Sequence, residues 1–178
     1  MINMKRIITF MLAALMLFAL CACGETTSED NNTEPEAALA KNYEKLFYVS
    51  GDVKFGIGDN AQEIMDKLGE PMGTFESASC AYQGSDYFYY YDGFEIMAND
   101  FDGTRLITGI TVDDDTVQIP QGVKVGMDIE EALSLMDLDH SQNGSVYKFT
   151  EGSTILRIRA GEDNTVAAIE YCTAANEQ

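Results

Sequence analysis

A nine-residue pattern occurs twice in the chain, first at residues 57–65 and again, 68 positions later, at residues 125–133. In both copies a glycine is followed two residues later by Asn or Asp, and a Glu comes three residues after that. This is a capping box, whose side chains satisfy the N–H groups that have no partner in a first helical turn. Apolar residues then recur at the i, i+3, i+4 and i+7 spacing of a helix that lies on a core. Two copies of one helical unit are therefore predicted, capped by Asn60 with Glu63 and by Asp128 with Glu131.

Aromatic and β-branched runs follow each predicted helix. Residues 87–93 align with residues 146–152, 59 positions later, and both runs end in an acidic residue and a glycine, which mark a hairpin turn. Two more pairs of runs follow in the same order. Each copy therefore predicts one helix and a three-stranded antiparallel meander, with the later strands at residues 94–98 and 106–112 and at residues 154–159 and 165–171.

These patterns predict the α+β class. Two tandem repeats, at about residues 53–117 and 121–172, share one sheet and place their helices on one of its faces. The segment at residues 69–86 is nine residues longer than its counterpart at residues 137–145, which is enough to add a strand to the first repeat. We expect the globular domain to span residues 41–178.

The N-terminus has the pattern of a bacterial lipoprotein signal. Two basic residues precede an uncharged apolar run at residues 7–20, which is short for a membrane span of about 20 residues. The run ends in Leu-Cys-Ala-Cys, which resembles a lipobox, with the small residue Ala22 directly before the lipidated Cys23. We therefore predict a signal peptide at residues 1–22 and a lipid on Cys23. The alternative is an ordinary secretory signal.

A polar, acidic stretch follows the predicted anchor, and residues 23–40 are predicted to be the lipidated cysteine and a flexible tether. The whole chain has 30 acidic and 11 basic side chains, for a formal charge of −19. That balance argues against a nucleic-acid partner, because neutralising phosphates needs clustered Lys and Arg. It argues equally against electrostatic docking on an anionic membrane.

The repeated pattern resembles the tandem units of the β-lactamase-inhibitor-protein-like (BLIP-like) fold, whose single-copy relatives include SmpA/OmlA-type lipoproteins. The resemblance rests on Gly-Ile-Gly-Asp-Asn at residues 56–60, Leu-Gly-Glu-Pro at 68–71 and Val-Gly-Met-Asp at 125–128. In that family one sheet face is a concave surface that grips another protein, so the resemblance implies a protein-binding role. The chain departs from the inhibitor in two respects: it lacks a cysteine pair in each repeat, and its residues do not match the inhibitor's contact residues.

A row of tyrosines is the predicted binding face. Alternation along a strand places Phe88 and Tyr90 on one side and Tyr87, Tyr89 and Tyr91 on the other. The positions that align with Phe88 and Tyr90 in the second repeat are apolar, so these two residues are expected to face the core. The tyrosine row would then be exposed and would offer large, rigid contact area. The alternative is that the row packs internally.

Two cysteines remain once Cys23 is lipidated. In an exported protein Cys80 and Cys172 favour a disulfide. The alternative is a pair of buried thiols that act as small apolar residues.

No sequence pattern indicates catalysis or a cofactor. The one histidine, His140, stands in a polar run typical of a surface loop, and no nucleophile has a base partner nearby in sequence. Residues 99–103 and 113–115 carry oxygen ligands of the kind that Ca²⁺ prefers, but without the spacing of an EF-hand.

The predicted function is therefore binding without catalysis. We expect a lipoprotein anchored at the extracytoplasmic face of the cell membrane that binds a protein or peptide, with inhibition of a secreted enzyme as a special case. A module that binds a small ligand or Ca²⁺ is the alternative, followed by an enzyme of unrecognised type.

Overall fold

The structure, a computed structural model, describes residues 43–173. This part of the chain is mostly β, with ten strands and two short helices. The elements in chain order are β1 (Tyr48–Ser50), β2 (Val53–Phe55), α1 (Ala61–Leu68), β3 (Gly73–Ala78), β4 (Ser85–Tyr91), β5 (Phe94–Phe101), β6 (Thr104–Val112), α2 (Ile129–Leu135), β7 (His140–Asn143), β8 (Val146–Glu151), β9 (Thr154–Ala160) and β10 (Val166–Thr173).

Eight of the strands form one antiparallel sheet in the order β3-β4-β5-β6-β10-β9-β8-β7. The first four and the last four each form a meander, and the two meanders meet where β6 pairs with β10. The strands β3 and β7 are therefore the two edges of the sheet. A separate two-stranded hairpin is formed by β1 and β2.

The predicted α+β class, with two helix-plus-three-strand repeats and helices on one face, is wrong. Only 11% of the described residues are helical. With 8 and 7 residues, α1 and α2 make about two turns each, and each buries only two side chains. Helices of this size cannot form a layer over an eight-stranded sheet.

Both helices begin where the sequence predicts. The side chains of Asn60 and Asp128 accept hydrogen bonds from two backbone N–H groups each in the first turn of α1 and α2. The first helix stops at Gly69, whose φ of 86° lies outside the helical region. The second stops at Met136, which is already extended.

Each meander has four strands because an edge strand precedes the three that were predicted. The edge strands read Gly-Thr-Phe-Glu-Ser-Ala in β3 and His-Ser-Gln-Asn in β7, without the apolar alternation of a half-buried strand. An edge strand pairs on one side only, and all four residues of β7 are exposed. Such a strand needs no apolar pattern, so the sequence carries little sign of β7, whereas β3 lies in the longer segment at residues 69–86 that had room for an added strand.

The core lies on one face of the sheet, called here the core face. Six side chains form a cross-strand row on this face, and none is more than 5% exposed. Tyr48 and Phe55 of the β1–β2 hairpin pack on Phe94 with ring centroids 4.9 and 6.2 Å away, so the hairpin contributes to the layer above the row. The row consists of Tyr89, Ile96, Ile110, Tyr171, Leu156 and Phe149.

Candidate binding surface

The other side of the sheet, called here the outer face, carries two cross-strand rows of different chemistry. One row is mostly apolar, and the second changes from aromatic to acidic to basic across the sheet. The apolar row is Phe75, Phe88, Met97, Gly109, Cys172 and Ile155. The charged row is Tyr90, Glu95, Thr111, Glu170, Arg157, Lys148 and Ser141.

Large apolar side chains are exposed where these rows reach β3 and β4. Phe75 is 57% exposed, Tyr90 38%, and Met72, just before β3, 72%. The rings of Phe75 and Phe88 lie 5.9 Å apart. Within residues 43–173, three of the four large apolar side chains that are exposed are in this group, called here the aromatic edge (Met72, Phe75, Phe88 and Tyr90).

The orientation predicted for the tyrosine row is wrong. Tyr89 is 5% exposed and belongs to the core, and Tyr87 and Tyr91 pack against that core. Tyr90, which was expected to be buried, is exposed, and Phe88 contacts the exposed Phe75 on the outer face.

A slip of one residue between the repeats explains this error. The turns that join β4 to β5 and β8 to β9 occupy residues 92–93 and 152–153, so structurally equivalent residues are 60 positions apart, not 59. With the correct offset Tyr89 matches Phe149, which is completely buried. Because side chains alternate along a strand, a shift of one residue exchanges the two faces.

The tyrosine row is held by polar contacts as well as by packing. The hydroxyl of Tyr89 accepts a hydrogen bond of 3.1 Å from Arg105, whose guanidinium lies 3.6 Å from the centre of the Tyr87 ring. Tyr91 stacks on Phe94 at 5.1 Å and donates a hydrogen bond to the Gly69 carbonyl. These contacts support internal packing of the row, the alternative left open by the sequence.

The basic part of the charged row borders two cavities. The cavity beside β7 and β8 has a volume of about 250 Å³ and is lined by Ser141, Asn143, Val146, Lys148 and Arg157. Its neighbour, of about 340 Å³, shares Val146 and Arg157 and adds Arg159, Ala168 and Glu170. Neither this basic group nor the aromatic edge was predicted from the sequence. Arg157 and Arg159 alternate with apolar residues, which places them on one strand face, but only the register shows which face that is.

Cys80 and Cys172 are not bonded to each other in the structure. Cys80 is exposed in the β3–β4 loop, and Cys172 is buried. The Cys172 sulfur accepts hydrogen bonds of 3.2 and 3.0 Å from two nitrogens of Arg157. The loop does reach β10, since the hydroxyls of Tyr82 and Thr173 share a hydrogen bond.

The segments considered for Ca²⁺ form turns and a buried hydrogen-bond network. Asn99 is completely buried, donates to the Ser85 carbonyl and accepts from Thr108, while Asp102 and Gly103 turn the chain between β5 and β6. Hydrogen bonds from the Thr116 side chain and from the Thr116 N–H, the latter at 2.7 Å, lower the pKa of Asp114. Across the described residues no three His, Cys, Asp or Glu side chains are grouped to hold a metal ion. His140 lies in the exposed strand β7, near the ring of Phe149.

The predicted lipidation site, Cys23, lies outside the described residues, as do the leader and the whole of the predicted tether. Neither helix in residues 43–173 is long and apolar enough to cross a membrane.

Comparison with known proteins finds likeness in fold but not in sequence. No protein-family model and no curated protein matches the chain. An extracellular protein containing an SCP domain from Bacillus anthracis has a TM-score of 0.52 at 13% identity, over 75% of this chain and 50% of its own. A cysteine-rich secretory protein from Staphylococcus aureus gives 0.44 at 9%, over 67% and 46%. The uncharacterized protein yfeY from Escherichia coli gives 0.39 at 12%, over 64% and 88%. The chain thus spans about half the length of the first two, and at 13% identity the likeness to the Bacillus anthracis protein concerns the fold alone.

Proposed function

We propose that this protein is an exported, lipid-anchored module that binds a protein or peptide at the extracytoplasmic face of the cell membrane, without catalysis. The observation that carries the proposal is the aromatic edge. Soluble monomers rarely expose large contiguous apolar patches, and a patch rimmed by polar residues is typical of a binding site. Aromatic and Met side chains are also enriched at protein interfaces.

Two observations support a location outside the cytoplasm. The leader and the lipobox-like Leu-Cys-Ala-Cys are typical of an exported lipoprotein. The Bacillus anthracis neighbour is described as an extracellular protein, which is consistent with this. A diacylglycerol on Cys23 would hold the domain at the membrane more firmly than a single acyl chain.

The resemblance to the BLIP-like fold supports a narrower form of the proposal, in which the bound protein is a secreted enzyme. The aromatic edge would then insert its rings into the partner's surface, because buried aromatic side chains carry much of the binding energy of an interface.

The test is capture of a partner from the envelope and secreted fractions of the source organism. The baits are the chain from residue 24 onward, its Met72→Ser/Phe75→Ser/Tyr90→Ser variant, and a Leu135→Ser control. Leu135 is 43% exposed on α2, so the control removes an exposed apolar side chain elsewhere. Circular dichroism and melting temperature establish that all three baits are folded.

We expect the wild-type bait and the control to capture the same protein, and the triple variant to retain about a tenth of it or less, a loss of about 1.4 kcal/mol or more in binding. If the triple variant captures as much of the protein as the wild type does, the aromatic edge is not the binding site. If no bait captures a protein, the proposed function fails.

A further inference from the structure

The outer face concentrates positive charge in a strongly acidic chain. The sequence has a formal charge of −19 and only 11 Lys and Arg residues. Three of them lie close together on this face: Lys148 is directly opposite Arg157 in the β8–β9 register, and Arg159 is two residues further along β9. They are called here the basic cluster (Lys148, Arg157 and Arg159).

The basic cluster borders the two adjoining cavities on the outer face. Among the described residues, those that line them carry three positive charges and one negative charge, that of Glu170. Ser141 and Asn143 add a hydroxyl and an amide from the edge strand β7. Within the described domain, the lining therefore combines a net positive charge with hydrogen-bonding groups that suit an anion.

Arg157 is positioned by its own strand neighbours. Its guanidinium donates to the Cys172 sulfur and lies 3.6 Å from a Glu170 carboxylate oxygen. It is therefore anchored to β10, with Lys148 and Arg159 beside it on the surface.

We propose that the basic cluster is a subsite for the carboxylate groups of an acidic segment of the bound protein. This inference rests on the proposed function, because the cluster lies on the same outer face as the aromatic edge. Charge complementarity favours an acidic segment, and planar guanidinium groups suit carboxylates. The chain's overall negative charge opposes polyanions at long range, but salt screens that field beyond about 8 Å. A short acidic segment in direct contact with the cluster therefore gains the local attraction.

The test measures binding of a synthetic hexaglutamate peptide to the chain from residue 24 onward by isothermal titration calorimetry. The test variant is Lys148→Glu/Arg159→Glu, which leaves the anchored Arg157 in place. The matched control is Lys67→Glu/Lys124→Glu, two exposed lysines outside the cavity lining, with the same change in net charge. Inorganic phosphate and free glutamate serve as competitors.

We expect the test variant to bind the peptide about tenfold or more weakly, and the control to bind it within about twofold of the wild type. Added salt should weaken wild-type binding, since the contact is between charges. Failure of the wild type to bind, or equal weakening in both variants, would overturn the subsite. If phosphate or free glutamate competes as well as the peptide itself at matched concentration, the cluster binds small anions. That outcome would overturn the assignment to an acidic segment.

The subsite can fail while the proposed function stands. If the Lys148→Glu/Arg159→Glu bait still captures the protein that depends on the aromatic edge, binding does not need the basic cluster. Loss of that protein by this bait, with capture retained by the Lys67→Glu/Lys124→Glu bait, supports both.

Discussion

Residue 56 must be a glycine because the ring of Tyr43 lies directly against it. A Cβ at residue 56 would be 2.6 Å from Tyr43 Cε1, which is too close for two carbons. The ring cannot easily move, because the Tyr43 hydroxyl donates a hydrogen bond to Asp59, and the same Asp59 carboxylate accepts from the Gly56 N–H at 2.9 Å. We expect Gly56→Ala to lower the free energy of unfolding by about 1–3 kcal/mol, measured by urea denaturation.

Gly73→Ala is the matched control. A Cβ at residue 73 would meet the Tyr90 ring at 3.6 Å, an ordinary contact, and we expect a change within about 0.5 kcal/mol. Equal destabilisation by the two substitutions would show that the Tyr43 contact is not the cause.

Glu95 is a charged residue whose environment favours its neutral form. Burial, and then the charge of Asp113, raise the pKa of its carboxyl group. The folded state therefore binds the proton more tightly than the unfolded state, whose pKa is about 4.3. Ionised Glu95 destabilises the fold as the pH rises above that value, and the cost disappears when both states are protonated.

Glu95→Gln is accordingly expected to raise the urea midpoint at pH 7, with a gain that shrinks toward about pH 4, where the unfolded carboxyl is largely protonated. The exposed Glu162→Gln serves as the control for a change in net charge. A gain of the same size at both pH values would contradict the assigned cause.

The carboxylate of Glu151 connects the segment before β1 to the β8–β9 hairpin. Glu151, the last residue of β8, accepts hydrogen bonds of 2.8–3.0 Å from the N–H groups of Glu44, Lys45 and Leu46. Glu151→Ala leaves these three donors without the carboxylate, and we expect a loss of about 1–2 kcal/mol because the contacts are partly exposed. Hydrogen exchange at the three amides should accelerate. The neighbouring exposed Thr150→Ala should leave their exchange unchanged.

The elements that depend on contacts between residues close in sequence were the most predictable. The caps of α1 and α2 and the turn at residues 92–93 depend on residues within four positions of each other, so the sequence shows them directly. The length of residues 69–86 allowed for the edge strand β3, but the edge strand β7 was missed because pairing on one side demands no apolar pattern. The tyrosine row was assigned to the wrong face because the hairpin register, which a one-residue slip changes, is set by pairing between strands.

The proposed binding surface is formed by residues from several strands, which is why the sequence did not reveal it. Phe75 and Phe88 come together only because β3 pairs with β4, and Lys148 meets Arg157 only through the β8–β9 register. The pairing of β6 with β10 then joins the two meanders into one outer face, with the aromatic edge toward β3 and the basic cluster toward β7. The net charge of −19 is a sum over the whole chain and does not show where the basic residues lie.

The predicted lipid anchor also concerns the whole molecule, because it would keep the proposed binding surface at the membrane. The two cysteines of Leu20-Cys21-Ala22-Cys23 offer a matched pair of substitutions. The residue before the lipidated cysteine must be small, which fits Cys23 after Ala22 and excludes Cys21 after Leu20. We expect Cys23→Ser to abolish incorporation of an alkyne-labelled fatty acid in the source organism, while Cys21→Ser keeps both the label and the membrane association. Retention of the label by Cys23→Ser, or its loss only in Cys21→Ser, would contradict this register, because the thioether can form only on the thiol that the signal positions for modification.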